Sequence, residues 1–263
     1  MLPLSLWPLT DRARLHGIFT DIDDTLTTDG AITQDALDSL AALKIAGLHV
    51  IPITGRPIGW SEPFAAQWPV DAIVAENGSV AFRHEGDSRL QRKIYQQQDD
   101  SIRQRNYARM QEVAQQIVLE VSGATLATDS AGRETDIAID HSEFTHLPQK
   151  SIDQAVAIMR AAGMNATVSS IHINGWFGDH NKLEGARWIV RELFGRDLDA
   201  ELDCWAYVGD STNDQLMFAT FRNSIGVANI ARFVPQLKEL PKYVTQGERG
   251  AGFAEVARAL LNR

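Results

Sequence analysis

The sequence predicts an α/β protein: a doubly wound parallel sheet with a smaller α+β unit inserted into it. Three observations predict this. Short apolar runs alternate with amphipathic helical stretches at both ends of the chain, the rhythm of parallel strands joined by crossover helices. Each run ends in a polar cluster, and ligands of such sheets gather beyond the carboxyl ends of the strands. The middle of the chain breaks the rhythm with hairpin-like and alternating segments around two helices.

The elements follow in order. Residues 15–20 are a short apolar strand that delivers Asp21, Asp23 and Asp24 to a loop. A helix follows, with Thr33 as its N-cap, Ala36, Leu37, Leu40, Ala41 and Leu43 on one face, and Gly47 as its stop. Residues 48–53 form a second strand ending in Thr54, Gly55 and Arg56. Residues 71–75 form a third, ending in Glu76, Asn77 and Gly78. Residues 79–99 then read as a hairpin and 101–121 as a long amphipathic helix with Ile102, Met110, Val113, Ile117 and Val118 on its apolar side. Residues 135–140 alternate as a half-buried strand does. A shorter helix covers 152–162, stopped by Gly163, and two strands cover 166–169 and 171–177. Parallel-sheet character returns with a helix over 182–194, a strand over 205–208 ending in Gly209 and Asp210, a helix carrying Leu216, Met217 and Phe218, strands at 224–227 and 243–245, and a C-terminal helix. This reading assigns residues 1–81 and 179–263 to a discontinuous core and 82–178 to an inserted, lid-like unit.

Composition narrows the function classes. The chain has 263 residues, 25 Lys+Arg against 34 Asp+Glu, and a net charge of −9. That acidity argues against a nucleic-acid or anionic-membrane partner, both of which reward a basic surface. It leaves room for an anionic small substrate, since local charge at a site can oppose the global sign. One cysteine, Cys204, excludes an internal disulfide and a Cys-rich metal site, and it fits a reducing, cytoplasmic compartment. Its apolar surroundings read as a thiol buried in a strand. No apolar run approaches the roughly 18–20 residues needed to cross a bilayer. The partly apolar N-terminus, with Pro3 and Pro8 and charges close behind, reads as an ordered arm and not a signal peptide.

Four polar clusters carry the chemistry. Asp21 and Asp23, two apart on an extended loop, can share a site, one as nucleophile or metal ligand and the other as acid/base. An acidic turn is the plain alternative. Thr54, Gly55 and Arg56 offer a hydroxyl and backbone N–H groups that make a small anion cradle, or an ordinary turn. Lys182 starts a helix, where a cation opposes the macrodipole unless a phosphate compensates it; a solvated surface lysine is the alternative. Asp210 and Asp214 straddle a helix entry and can face one hard cation, although Asp210 could equally cap the helix.

The order and spacing of these clusters resemble the haloacid dehalogenase (HAD) superfamily of phosphotransferases. Asp21-x-Asp23-x-Thr25-Leu26 matches its first motif, Thr54 in Ile53-Thr54-Gly55-Arg56-Pro57 its second, Lys182 in Asn181-Lys182-Leu183-Glu184-Gly185 its third, and Gly209-Asp210-x-x-Asn213-Asp214 its fourth. The resemblance spans essentially the whole chain. The insert between the second and third motifs looks like the α/β cap of subclass IIB, a branch with sucrose-phosphate, trehalose-phosphate and general sugar phosphatases. Asp24 departs from the first motif, where glycine is commonest. The resemblance implies a Rossmann-like core and a Mg²⁺-dependent phosphatase acting on a small phosphorylated metabolite, a sugar phosphate. In that mechanism Asp21 attacks phosphorus to form an aspartyl-phosphate. Asp23 protonates the leaving oxygen and then activates water. Mg²⁺ is held by Asp21, the Asp23 backbone carbonyl and Asp210, with Asp214 as ligand or support, and Thr54 and Lys182 hold the phosphoryl oxygens. A phosphosugar mutase of the same superfamily, or a phospho-accepting or phosphosugar-binding protein, are the competing readings. Arg56, Asn77 and Asn213 are candidate substrate or support residues. Trp60, Trp176 and Phe177 are aromatic candidates for stacking on a sugar, with core packing as the alternative.

Overall fold

The computed structural model describes residues 1–85 and 88–262. The first part of the chain forms β1 (Leu2–Pro3), α1 (Leu9–Arg12), β2 (Gly17–Thr20), the small hairpin β3 (Thr27–Thr28) and β4 (Ala31–Ile32), α2 (Gln34–Ile45), β5 (His49–Pro52), α3 (Ile58–Gln67), β6 (Ala72–Ala75), β7 (Val80–Glu85) and β8 (Ser88–Tyr95). The middle forms α4 (Asp100–Glu120), β9 (Thr125–Leu126), β10 (Ile137–Asp140), α5 (Gln149–Ala161), β11 (Asn165–Val168) and β12 (His172–Trp176). The last part forms α6 (Lys182–Phe194), β13 (Trp205–Gly209), α7 (Gln215–Thr220), β14 (Asn223–Gly226), β15 (Tyr243–Val244) and α8 (Arg249–Leu261).

The central sheet is parallel throughout, in the order β1-β15-β14-β13-β2-β5. Its inner strands are buried on both faces, which is why β2 and β13 read as unbroken apolar runs. Successive residues feed opposite layers. Ile18, Val50 and Val208 pack with Leu40 of α2 and Phe253 of α8, whereas Phe19, Ile51 and Tyr207 pack with Ala186 and Ile189 of α6. The N-terminal arm is ordered: β1 pairs with β15, and buried Trp7 donates its Nε1–H to Asn223 Oδ1 at 3.1 Å.

The middle of the chain builds a second sheet, antiparallel, in the order β11-β12-β10-β9. Ile139 and Ile173 face α4 and α5 and pack with Met110, Ile117, Ala155 and Met159. The opposite face, which carries His172 and Asn174, meets the core.

The hairpin β7–β8 packs with the core. Val80 and Phe82 lie in one core cluster and Ala81 and Ile94 in the other, while an isolated bridge between Ile53 and Val74 joins β6 to the parallel sheet. We therefore propose that the inserted cap starts at residues 96–99 rather than at 82, and ends near Gly178, whose φ of +110° suits a sharp return of the chain.

Several local expectations are corrected. Thr33 is the N-cap residue of α2 as expected but its hydroxyl makes no capping hydrogen bond, and α4 starts one residue earlier than expected because Asp99 caps it through the N–H groups of Ser101 and Ile102. Val118 is exposed rather than on the packed face of α4. Cys204 is half-buried in the 3₁₀ turn ahead of β13, not within the strand. Among the described residues no helix is long and apolar enough to cross a membrane.

Candidate active site

Parallel strand ends bring three of the four clusters together. Asp21 follows β2, and its N–H bonds the Val208 carbonyl at 2.9 Å, which seats it beside the end of β13, where Asp210 begins its loop. Thr54 follows β5 and is fully buried, with its N–H on Val74 O at 2.9 Å. The fourth cluster arrives from α6. Asn181 caps that helix through Leu183 N and Glu184 N, so Lys182 is its first residue. Its approach needs two glycines back to back. A Cβ on Gly78 would lie 2.2 Å from Asn181 O, and one on Gly185 would lie 2.5 Å from Gly78 Cα. Only bare backbone lets the helix start this close to the end of β6.

Lys182 is buried, which rules out the surface alternative. Its Nζ lies 3.0 Å from Asp21 Oδ2 and 2.7 Å from Asp214 Oδ1. Asp21, Asp210 and Asp214 each point an oxygen into one small volume, all within 4.8 Å of one another. Three buried carboxylates face one buried ammonium, and the exposed Arg232, 3.6 Å from Asp210 Oδ2, offsets the excess negative charge only in part. The titration directions follow from that imbalance. Burial, reinforced by Asp214 and Asp23, pushes the Asp21 carboxyl up to about 7 although Lys182 pulls it down. Burial with Asp214, Asp21 and Asp24 nearby pushes Asp210 well above the carboxylate range. Burial alone would lower Lys182, but Asp21 and Asp214 outweigh it and raise it.

The donors discriminate among the acids. Asp214 is saturated: Oδ1 accepts from Lys182 Nζ and from Tyr207 Oη at 2.5 Å, and Oδ2 from the N–H groups of Asp210 at 2.9 Å and Ser211 at 3.1 Å. Asp210 Oδ1 is buried without any hydrogen-bond partner, and its Oδ2 accepts from Asn229 Nδ2 at 3.2 Å and lies 3.6 Å from Arg232 Nη2. A fully buried carboxylate oxygen with no donor, in a volume short of positive charge and with no Cys or His among its acidic ligands, fits one hard divalent cation such as Mg²⁺.

Arg56 is buried too, and it joins the core to the cap. It grips Asp23 through Nε at 3.0 Å and Nη2 at 2.9 Å, Asp129 through Nη1 at 3.1 Å and Glu143 through Nη2 at 2.7 Å. Burial would lower its affinity for the proton, but these carboxylates raise it further above its ordinary value. Burial likewise favours the neutral form of Glu143, yet His172 and Arg56 hold its carboxyl at about 2. Asn77 sits in the left-handed region at φ 55°, with its Nδ2 3.4 Å from Asp136 Oδ2. Asn213 accepts from Ser211 Oγ at 2.8 Å and is half-buried.

Comparison with known proteins identifies the family of the chain. The family description "haloacid dehalogenase-like hydrolase" matches residues 18–156, more than half of the chain. The chain belongs to the haloacid dehalogenase-like hydrolases. A Streptococcus pyogenes serotype M6 protein with a provisional phosphatase designation is 21% identical to it over 268 residues, covering 92% of this chain and 96% of that one. The crystal structure of the Thermoplasma acidophilum protein 0175 superposes with a TM-score of 0.71 at 15% identity, over 94% of this chain and 98% of that chain. The sucrose-phosphatase of a Synechocystis species, solved with sucrose and phosphate, does so with a TM-score of 0.65 at 16% identity, over 94% and 98%.

In this haloacid dehalogenase-like hydrolase two cavities are lined by residues singled out from the sequence. One of about 510 Å³ is lined by Lys182, Asn77, Asn213, Trp176 and His180. The other, of about 390 Å³, carries Asp23 and Arg56 with Glu143 and Phe144 of the cap. The aromatic residues singled out from the sequence are engaged in packing. Trp60 lies under the Arg56 guanidinium, 5.1 Å from Cζ to ring centre, Trp176 is buried against His180, and Phe177 is buried under Arg109. Sequence reasoning missed Glu76. It is fully buried at φ 48°, and its carboxylate accepts from Ile58 N in the core and from Glu134 N, Thr135 N and Thr135 Oγ1 in the cap. Its only sequence signal was a charged residue directly after a buried strand.

His180 gives a pH prediction. It is 6% exposed, its Nε2 has no partner, and burial lowers it from 6.5 to about 4. The folded protein thus keeps it neutral where the unfolded chain protonates. The stability it contributes is complete above pH 6.5 and is lost as pH falls towards 4. A shift of that size corresponds to roughly 3 kcal/mol. Urea unfolding of wild type and His180→Gln across this window should show a shallower pH dependence in the variant.

Proposed function

We propose that this chain is a Mg²⁺-dependent phosphatase that hydrolyses a small phosphorylated metabolite, a sugar phosphate, through an aspartyl-phosphate on Asp21. The observation that carries the reading is the buried Lys182 held between Asp21 and Asp214 beside the orphaned oxygen of Asp210. An ammonium and a nucleophilic carboxylate sharing a buried volume suit a phosphoryl group better than any neutral substrate.

Asp21 and Asp210 would hold Mg²⁺, with the Asp23 backbone carbonyl as a further oxygen. Asp214, already saturated, acts by orienting Lys182 and the loop after β13. When bound, the cation neutralises the acids and lets a carboxylate approach an anionic phosphate. Asp21 attacks phosphorus as the ester P–O bond breaks. Asp23 gives its proton to the departing oxygen and recovers one from the water that cleaves the aspartyl-phosphate. Lys182 and Thr54 hold the phosphoryl oxygens through both steps. Asn77 and Asn213 support the loops that carry these groups. Arg56 positions Asp23 and ties it to the cap.

The test is a turnover screen of phosphate esters with Mg²⁺ and with a chelator. Phosphate release should require Mg²⁺, stop in chelator and return on readdition, whereas Zn²⁺ should substitute poorly in an all-oxygen site. Mg²⁺ should also raise the thermal midpoint without substrate, by about 2.7 kcal/mol of stability at a hundredfold excess over Kd. Full activity after exhaustive chelation would overturn the metal assignment.

A further inference from the structure

The cavity of about 390 Å³ that reaches Asp23 has a cap-side wall built to hold still. Asp140, buried at the end of β10, accepts four backbone N–H groups: Ser142 at 3.1 Å and Glu143 at 2.9 Å on Oδ1, and Phe144 at 2.9 Å and Thr145 at 3.0 Å on Oδ2. The Glu143 side chain is tied to Arg56, and to His172 Nε2 at 2.9 Å. Leu147 N closes the loop on His141 O at 3.0 Å. These contacts fix the backbone, yet the Phe144 ring they present is 71% exposed. It is the only exposed aromatic residue of the cap among the described residues, and it lines the same cavity as Asp23. Chain entropy has been given up to hold an apolar ring in water, and the ring's own burial is unrealised in the free protein.

We propose that Phe144 is the platform on which the leaving group of the substrate stacks, and that this group presents the C–H face of a cyclic sugar. The inference rests on the phosphatase reading and deepens it. The bond that breaks must lie at Asp23 if Asp23 protonates the leaving oxygen. The leaving group therefore extends from Asp23 into the cavity that holds Phe144, not into the one beside His180. A volume of this size lies within the range of small-ligand pockets. Phe144 is thus a specificity residue outside the phosphoryl chemistry.

The experiment uses the full chain with Mg²⁺ and compares hexose 6-phosphates with glycerol 1-phosphate, an acyclic ester, for wild type, Phe144→Ala and Phe144→Tyr. Wild type should prefer the cyclic esters. Stacking acts on the bound substrate and the transition state alike, so Phe144→Ala should raise KM for the hexose phosphates about tenfold with little change in kcat. It should leave glycerol 1-phosphate unaffected, and Phe144→Tyr should restore the cyclic preference. The ring is exposed, so the thermal midpoint should not move. An unchanged hexose-to-glycerol ratio of kcat/KM in Phe144→Ala, or a wild-type preference for the acyclic ester, would overturn the platform while leaving the phosphatase reading intact. No Mg²⁺-dependent phosphate release from any ester would overturn both.

Discussion

Replacing Asp21 with asparagine is expected to abolish turnover, with a loss in kcat of at least about 10⁴-fold, because the covalent step then has no nucleophile. The fold should survive. Asp21 Oδ1 accepts only the neighbouring Ile22 N–H at 2.8 Å, a bond the amide oxygen can keep. The substitution also removes a buried charge that the protein holds at a cost. The Asp21 carboxyl is raised from 3.8 to about 7, so without a cation its contribution to stability is fully present below pH 3.8 and is lost as pH rises towards 7. Metal-free Asp21→Asn lacks that loss and should be at least as stable as wild type at pH 7 and above. Mg²⁺ should then stabilise wild type more than the variant. Single-turnover kinetics and chelator-treated urea melts check the two halves separately, and near wild-type activity in Asp21→Asn would remove the basis of the assignment.

Lys182→Met should be the most destabilising single change at the site. The ammonium is the shared partner of Asp21 and Asp214, both buried, and its loss leaves three acids facing one another. Removing one member of a buried ion pair costs about 3–5 kcal/mol, much of it the penalty on the charge left behind. The cost should be largest above pH 7, where Asp21 is ionised, and smaller in mild acid, where it accepts a proton. Mg²⁺ should recover part of the stability but none of the phosphoryl positioning, so folded, Mg²⁺-loaded Lys182→Met should remain inactive. Equal unfolding midpoints for wild type and Lys182→Met in chelator, at pH 8, would contradict the charge balance described above.

Much of the core was legible because its signals are local. A strand buried on both faces must be apolar along its length, so residues 15–20, 48–53 and 205–208 announced β2, β5 and β13, and α6 coincides with the helix expected over 182–194. The candidate site was legible for a related reason: parallel strands end at one edge of the sheet, so polar residues after separate strands converge whatever lies between them. The sequence reading placed most of the hairpin β7–β8 in the inserted unit because its polar outer residues look like surface, and we propose that it belongs to the core. The packing of Phe82 and Ile94 into the two core clusters supports that proposal. The Phe144 loop carried no signal at all, since an aspartate gathering four amides looks in sequence like any acidic residue before a turn.

The sequence by itself determined the class of fold, the parallel strands of the core, the interruption by a segment of different rhythm that builds its own sheet, and the side chains that meet at the strand ends, because hydrophobic periodicity and motif spacing are properties of neighbouring residues. Tertiary structure alone decided what those side chains do to one another. It saturated Asp214 and left Asp210 with a bare oxygen, turned Arg56 from a candidate substrate or support residue into a buried tie between Asp23 and the Asp129 and Glu143 carboxylates, and put Phe144 rather than Trp60, Trp176 or Phe177 in the open. Burial and partnership depend on residues scores of positions apart along the chain. The desolvation and pairing that set a charge's state follow from which of them finally surround it.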